Sequence, residues 1–506
     1  MTTLNRNILS NVFVYLLILL SGVTLCTSVH AYDLEKQVEE YTLDNGLTVL
    51  VVERHFSPTV SLYIRFKAGA VDESSEHTGT AHFLEHMLFK GTPTIGTSNY
   101  QEEKKVLAAL HNVIREFDRE KRKGAMADTR KLDTLTAQLD TLQKEAKAYI
   151  RESEIDRLYT ENGGANLNAS TGYDLTSYHV NLPSNKIELW ARIESDRMTH
   201  PVFREYFSER NVVIEERRQT IESRPDRKLM EQFLATAFMV HPYRRPIIGW
   251  ASDMPFLNID YMKHFFKTYH APNNTVIAVV GDISAPDVHR LIVRYFGHIP
   301  PQELPPRAMS MEPPQEGERR VDYVADANPK VMIGYHKPTL PAFDDYVFDA
   351  MSTILSGGRT SRLYKTLVQE KGIARVVETI NGFPAVRYPN LFVCAAQPRF
   401  PHTTGELEDA LYDQIRALQE APVHEKELEK AKNQMKADFL RRLASNAGLA
   451  GMLSYFEAVA GDFRYITNHI NMIEKVTAAD IQEAARHYLI PSNRTVATLT
   501  QKQDTQ

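Results

Sequence analysis

The chain has 506 residues, 43% of them apolar and 24% charged, which excludes a low-complexity or collagen-like polymer and provides for two or more domains with sizeable cores. Its 59 basic and 64 acidic residues leave a formal net charge of -5, so the strong basic excess of a nucleic-acid-binding protein is absent. With only Cys26 and Cys394 present, a disulfide scaffold is excluded as well.

Arg6 precedes the apolar run 12–25, and Val29 and Ala31 supply the small residues a signal peptidase reads. Residues 1–31 therefore read as a signal peptide. The run falls short of the about 20 residues a membrane span needs, so membrane contact is expected only if this segment stays uncleaved. Its removal leaves one cysteine and no internal disulfide. Together these features point to a periplasmic protein of a Gram-negative bacterium.

Next in the chain, "YTLDNGLTVLVVERH" predicts a hairpin turning at Asn45-Gly46, and "TVSLYIRFKAG" predicts a further strand. The stretch "AHFLEHMLFKG" (81–91) predicts a helix with Thr78 as its N-cap and Phe83, Leu84, Met87 and Leu88 on its buried face. Between Gln101 and Ile150 the apolar spacing predicts two helices broken near Gly124, the second carrying a heptad seam through Leu132, Leu135, Leu139 and Leu142. We read an antiparallel helical hairpin inserted into the first domain, either a solvated arm packed on itself or a docking arm for a partner or substrate. "NGGANLNASTGYDLTSYHVNLP" returns to strand. One long helical region is expected over 186–223, stopped by Arg224-Pro225, and "NNTVIAVVGDI" is another strand.

The Pro-rich stretch 299–319 separates an N-terminal domain, 35–298, from a C-terminal one, 320–504. The second faintly repeats the first: "KVMIGYHKP" is a strand and "DDYVFDAMSTILSGG" a helix. With Gly358 laid on Gly91, Asp349, Ser352 and Thr353 fall at His82, Glu85 and His86. The expected fold is thus α+β: two homologous α/β domains, each a mixed or antiparallel sheet flanked by helices, with metal chemistry in the first alone.

His82 and His86 stand one helical turn apart on one face, so neutral imidazoles can share a zinc ion. Glu85 projects beside them, where it can take a proton from a zinc-bound water whose pKa the metal lowers toward about 7. The spacing is H-x-x-E-H, the inverted zincin signature. A third protein ligand is needed, and "FSERNVVIEERRQTIES" offers Glu209, Glu215 and Glu216. Glu209 and Glu216 are two turns apart on one face, so one can ligate while the other supports a histidine ring or the water. The alternative is a solvated acidic face balanced by Arg210, Arg217 and Arg218.

"GTAHFLEHMLFKGT", "SERNVVIEE", "HPYRRPIIGW" and "YHAPNNTVIAVVGD" resemble the pitrilysin/insulinase family of zinc peptidases, which includes the mitochondrial processing peptidase. The resemblance spans nearly the whole mature chain and implies one zinc ion per chain, in a molecule forming one half of a clamshell. The family's E-R-x-x-x-x-x-E register selects Glu216 as the third ligand. Glu85 and Glu209 are then the catalytic carboxylates, with Glu209 in the supporting role. An extended peptide or unfolded protein substrate is expected to add as a strand beside "NLNAS", at Asn168 and Ala169.

Complete family members also carry an Arg and, seven residues later, a Tyr in the C-terminal half, which reach the substrate and the developing oxyanion; losing one such donor costs about 3 kcal/mol. In "SRLYKTLVQEKGIARVV" the matching positions hold Val368 and Arg375. The expectation is a zinc endopeptidase acting as the catalytic subunit of a heterodimer, its homologous partner supplying the Arg/Tyr pair. A homodimer using Arg375 or Tyr364 is the variant of this reading. The competing readings are a non-catalytic assembly subunit and a coiled-coil scaffold built on the hairpin.

Overall fold

At the Asn45-Gly46 turn, Gly46 has φ 83° and a Cβ there would meet the Asn273 Cβ at 2.7 Å, so only glycine fits. The computed structural model that shows this describes residues 34–307 and 310–501, and the signal-peptide reading of residues 1–31 lies outside them. The turn joins β1 (Glu39–Thr42) to β2 (Thr48–Glu53), after the short helix α1 (Leu34–Gln37). The first half continues through β3 (Thr59–Phe66), α2 (Thr80–Met87), α3 (Tyr100–Lys121), α4 (Thr129–Lys147) and α5 (Glu154–Glu161). It then runs through β4 (Ala165–Thr171), β5 (Thr176–Pro183), α6 (Ile187–Thr199), α7 (Tyr206–Arg217), α8 (Pro225–Ala237), α9 (Ile259–Tyr269), β6 (Thr275–Gly281) and α10 (Ala285–Phe296).

Among the described residues no helix or strand lies between Phe296 and Arg319, where proline removes donors and fixes φ. The second half begins with β7 (Arg319–Val324), β8 (Lys330–Lys337), α11 (Phe343–Ser356), β9 (Ala374–Phe383) and β10 (Asn390–Pro398). Five helices follow, α12 (Thr404–Glu420), α13 (Glu425–Leu443), α14 (Asn446–Ala460), α15 (Tyr465–Lys475) and α16 (Ala478–Tyr488), before β11 (Arg494–Thr500).

The strands form two sheets, ordered β1-β2-β6-β3-β5-β4 and β7-β11-β8-β10-β9. Apart from β1, the two orders correspond strand for strand. Each holds one parallel pair, β2 with β6 and β7 with β11, and is antiparallel elsewhere. In each, the second corresponding strand (β3, β8) leads into the helix that carries His82 or Asp349. The faint sequence echo is therefore a repeated topology.

The halves are tied by exchanged helices. Leu449, Ala450 and Leu453 of α14 pack with Leu50, Val52, Ala278 and Val280 of the first sheet. Conversely, Leu229, Phe233 and Leu234 of α8 pack with Met332, Leu391 and Val393 of the second. Each such side chain contributes about 1.5–3 kcal/mol when fully buried, which makes the pair of halves one cohesive unit.

Two expectations need correction. The helical stretch 186–223 is not one helix: α6 ends at Thr199 and α7 begins at Tyr206. Pro201 lacks the N–H a continuing helix needs, and Glu205 sits at φ 55°. The hairpin of α3 and α4 is also more than a solvated arm packed on itself. Val106, Leu107, Leu110 and Ile114 join the core of the first sheet. Arg204, fully buried, donates to the Glu103 carboxylate at 2.6 and 3.0 Å and to the carbonyls of Lys90, Thr92 and Ile95, stapling the root of α3 to the loop after α2. The excursion leaves and returns at one place, since Thr97 bridges Ile150 and Ser98 N donates to Tyr149 O at 2.7 Å.

Candidate metal centre

Helix α2 buries Ala81, Phe83, Leu84 and Met87, which turns His82, Glu85 and His86 toward a groove. Thr78 is not its N-cap. Gly79 holds that position at φ 88°, and no side chain of the cap residue accepts a bond. The buried carboxylate of Glu73 accepts from Gly79 N at 2.9 Å and Ala81 N at 2.7 Å instead. The Thr78 hydroxyl is committed elsewhere, donating to Asp253 at 2.5 Å.

Helix α7 carries two stripes of seven-residue spacing, offset by one residue. Arg210 and Arg217 are each 2% exposed and fasten the helix to the body. Arg210 grips Asp118 of α3 at 2.8 and 3.0 Å, while Arg217 reaches Glu231 at 2.7 Å and the Gly249 carbonyl at 2.6 Å. They do not balance a solvated acidic face. With one stripe anchored, the other faces α2: Glu209 and Glu216 point at the histidines, while Glu215 turns to solvent and pairs with Arg218.

His82, His86 and Glu216 each place a donor atom within 4.8 Å of the others, the only such group among the described residues. His82 Nε2 stands 3.7 Å from Glu216 Oε1 and His86 Nε2 3.5 Å from Glu216 Oε2. Those separations are long for hydrogen bonds. They suit ligands held about 2.0–2.1 Å from a tetrahedral ion, which lie about 3.4 Å apart. The donor set of two imidazoles and one carboxylate, with an open fourth position, fits catalytic zinc.

The protonation pattern fits as well. His86 Nδ1 lies 3.0 Å from Glu209 Oε1, and Lys90 binds the other oxygen of Glu209 at 2.6 Å. Burial alone would raise the Glu209 carboxyl, but the hydrogen bonds from His86 and Lys90 prevail and hold it near 2. An ionised carboxylate only accepts, so Nδ1 carries the hydrogen and Nε2, facing Glu216, is the nitrogen left to ligate. Burial alone would lower the His86 pKa, but the bond to Glu209 and the charge of Glu216 outweigh it and raise the pKa, so an ion there displaces a proton. Burial, with His86 nearby, pushes His82 down to about 4, so its ring is neutral at pH 7 as ligation requires.

Glu85 sits beside the three with its pKa raised, chiefly by burial, against the opposing hydrogen bond from Thr171. That hydroxyl donates to Glu85 Oε2 at 2.5 Å and aims the carboxylate. Thr171 ends β4, the edge strand of its sheet. Asn168 and Ala169 pair inward with His179 and Tyr178 of β5, and the outer edge of β4 has no neighbouring strand among the described residues.

Thr171, Lys90 and Glu73 escaped the sequence reading. Lys90 was within reach of it, since it follows His86 by four residues, and spacing alone puts the two close in a helical register.

In the second half Arg362 is held by Glu427 at 2.7 and 2.9 Å, Val368 packs on the core of that half, and Arg375 hydrogen-bonds Gln397. Cys394 is buried, its thiol pushed up to about 12, so it is inert toward thiolate chemistry.

Two topologically matched α/β halves, one bearing an inverted histidine-glutamate motif completed by a distant glutamate, define a class of clamshell metallopeptidase folds. The family model described as "Insulinase (Peptidase family M16)" matches residues 48–121 and 123–250, and that described as "Peptidase M16 inactive domain" matches 257–435; the chain belongs to the M16 peptidase family. A relative named zinc protease PqqE, from Helicobacter pylori, is 25% identical over 484 residues, covering 94% of this chain and 96% of its own length. A probable mitochondrial-processing peptidase subunit beta from Schizosaccharomyces pombe is 24% identical over 52% of this chain and 46% of its own. Among solved structures, a protease from Helicobacter pylori superposes with TM-score 0.76 at 23% identity, covering 92% of this chain and 99% of that one. The first half of the periplasmic protease PqqL from Escherichia coli gives 0.68 at 16%, covering 92% of each chain. Both likenesses establish the shared fold.

Proposed function

We propose that this chain is a zinc-dependent endopeptidase that cleaves extended peptides or unfolded protein segments. The observation that carries the reading is the convergence of His82, His86 and Glu216 with Glu85 beside them. Zinc held there would supply Lewis acidity and a water of lowered pKa. Glu85 takes the proton of the attacking water and returns it to the leaving amine, and its raised pKa brings it toward the range suited to both tasks. Glu209 fixes the His86 ring, and Thr171 fixes Glu85. The open edge of β4 at Asn168 and Ala169 offers main-chain donors and acceptors to an added substrate strand, which gives affinity for many sequences and leaves preference to side-chain pockets.

We further propose a division of labour in which residues 35–298 hold the chemistry, 299–319 link, and 320–504 complete the half-shell. The active form is a heterodimer whose homologous partner supplies the Arg/Tyr pair. The residues at the two matching positions support this: Val368 packs on the core of its own half, and Arg375 is engaged by Gln397. Export to the periplasm rests on residues 1–31, and no helix of the described residues is long and apolar enough to cross a membrane.

The test is the Glu85→Gln variant, expected to bind one zinc ion per chain while peptide turnover, measured with the homologous partner subunit present, falls about 10²–10⁴-fold. Purified protein without zinc, or unchanged turnover in a zinc-loaded Glu85→Gln, would defeat the reading. Absence of zinc would favour a non-catalytic assembly subunit.

A further inference from the structure

We infer that the cavity beside His82 and Glu216 is a specificity pocket for an acidic substrate side chain, glutamate before aspartate; this rests on the peptidase reading above. The cavity measures about 530 Å³ and touches the ion site directly through His82 and Glu216, so a side chain adjoining the scissile bond enters it. Three arginines line it: Arg224, Arg227 and Arg244. All three are exposed, two flank the start of α8, and the third lies on the following loop.

The arginines keep their charge for a ligand. Arg227 makes no side-chain hydrogen bond or ion pair among the described residues, Arg224 rests loosely on Asp226 at 3.3 and 3.4 Å, and Arg244 holds only the Met239 carbonyl. Asp226 offsets Arg224, but the other acids nearby cancel neither Arg227 nor Arg244. Glu231, in the same wall, is already bound by Arg217 at 2.7 Å and Lys228 at 2.5 Å, while Glu216 faces the ion site. The pocket therefore keeps uncompensated positive charge at its rim.

Its remaining wall is apolar, with Tyr173, Leu234, Ile248 and, from the second half, Phe383 and Pro384. A glutamate suits this arrangement, because its two methylenes lie along the apolar wall while its carboxylate reaches the guanidinium groups. Aspartate is one methylene shorter. The second cavity, about 540 Å³ on the Glu85 and His86 side, differs in kind. The charged residues of its wall are mostly acidic, with Glu152, Glu154, Asp156, Glu205 and Glu209 beside Lys90 and Arg151, so it does not favour a carboxylate. Selectivity for an acidic side chain is thus assigned to the arginine pocket.

The test measures binding, which does not require a partner subunit for turnover. Zinc-loaded Glu85→Gln protein is titrated by fluorescence anisotropy with a peptide set in which alanine, glutamate, aspartate or lysine occupies each of six consecutive positions in turn. At one position glutamate should bind about tenfold tighter than alanine and lysine about tenfold weaker. In an added Arg227→Glu background lysine should become the preferred residue at that same position. Arg290→Glu, which makes the same net-charge change on the remote helix α10, should leave the order unchanged. Binding of every peptide with equal affinity, or the same order in Arg227→Glu, would overturn the acidic pocket and leave the peptidase reading standing. If the zinc-loaded protein bound no peptide at all, the peptidase reading would fall with it.

Discussion

Glu209 joins three things in one side chain: it accepts from His86, pairs with Lys90, and thereby sets which histidine nitrogen faces Glu216. Replacing it with glutamine removes the charge that fixes this tautomer. Zinc affinity of Glu209→Gln should fall about 10–100-fold in a competitive chelator titration, and unchanged affinity would show that the ring needs no such support. Glu73 acts at the same scale but on helix geometry. Its buried carboxyl is pushed up to about 8, chiefly by burial, against the opposing bonds from Ala81 and Gly79. The unfolded chain releases this proton near its ordinary value of 4.5, the folded chain only near 8. Between those values the folded state binds the extra proton, so this group's contribution to stability falls as pH rises through the window. Melting curves of Glu73→Gln should show a flatter stability slope from pH 4.5 to 8 than the parent chain. An identical slope would mean that Glu73 ionises normally.

At the scale of elements, the histidine helix and the glutamate helix owe their alignment to buried ion pairs. Glu103 and Arg204 are both fully buried, so Arg204→Met leaves a carboxylate stranded without a counter-charge. Chemical denaturation should show a loss of about 3–5 kcal/mol, partly recovered when Glu103→Leu is added. No recovery in the double variant would argue that Arg204 acts through the loop carbonyls instead. Much at this scale was legible in the sequence: the hairpin turn, the H-x-x-E-H helix and the break at Gly124 all follow from local preferences. The division of α6 from α7 was announced only by Pro201, and the alternation of glutamates with arginines along α7 read equally as a solvated face. Only burial of Arg210 and Arg217 reveals which stripe anchors and which reaches the site.

For the whole molecule, the exchange of α8 and α14 makes each half depend on the other. Polar contacts reinforce it. Arg387 of the second half lies 3.1 and 3.2 Å from Asp72 of the first, and Asp174 accepts from Val386 N, Arg387 N and the Tyr243 hydroxyl. A single proteolytic cut within 299–319 should therefore leave two fragments that elute together at the intact size. Fragments that separate without denaturant would show that the exchanged helices contribute little. Assembly is tested at this scale too. Purified chain alone should cleave peptides slowly or not at all and gain turnover when its homologous partner is added, whereas full turnover alone would remove the case for a heterodimer.

By itself the sequence determined which side chains are candidates for the site, because the four-residue spacing of His82 and His86 and the seven-residue spacing of Glu209 and Glu216 each put a pair on one face of a helix. It also determined that the second half carries no such set. The tertiary structure alone decided that Glu216 meets the histidines across more than a hundred residues, that Glu73 rather than Thr78 caps their helix, and that exposed arginines border the candidate metal centre. The physical reason is the range of the forces involved: helical periodicity is written in neighbouring residues, whereas burial and buried charge pairing depend on segments that meet only after the chain has folded.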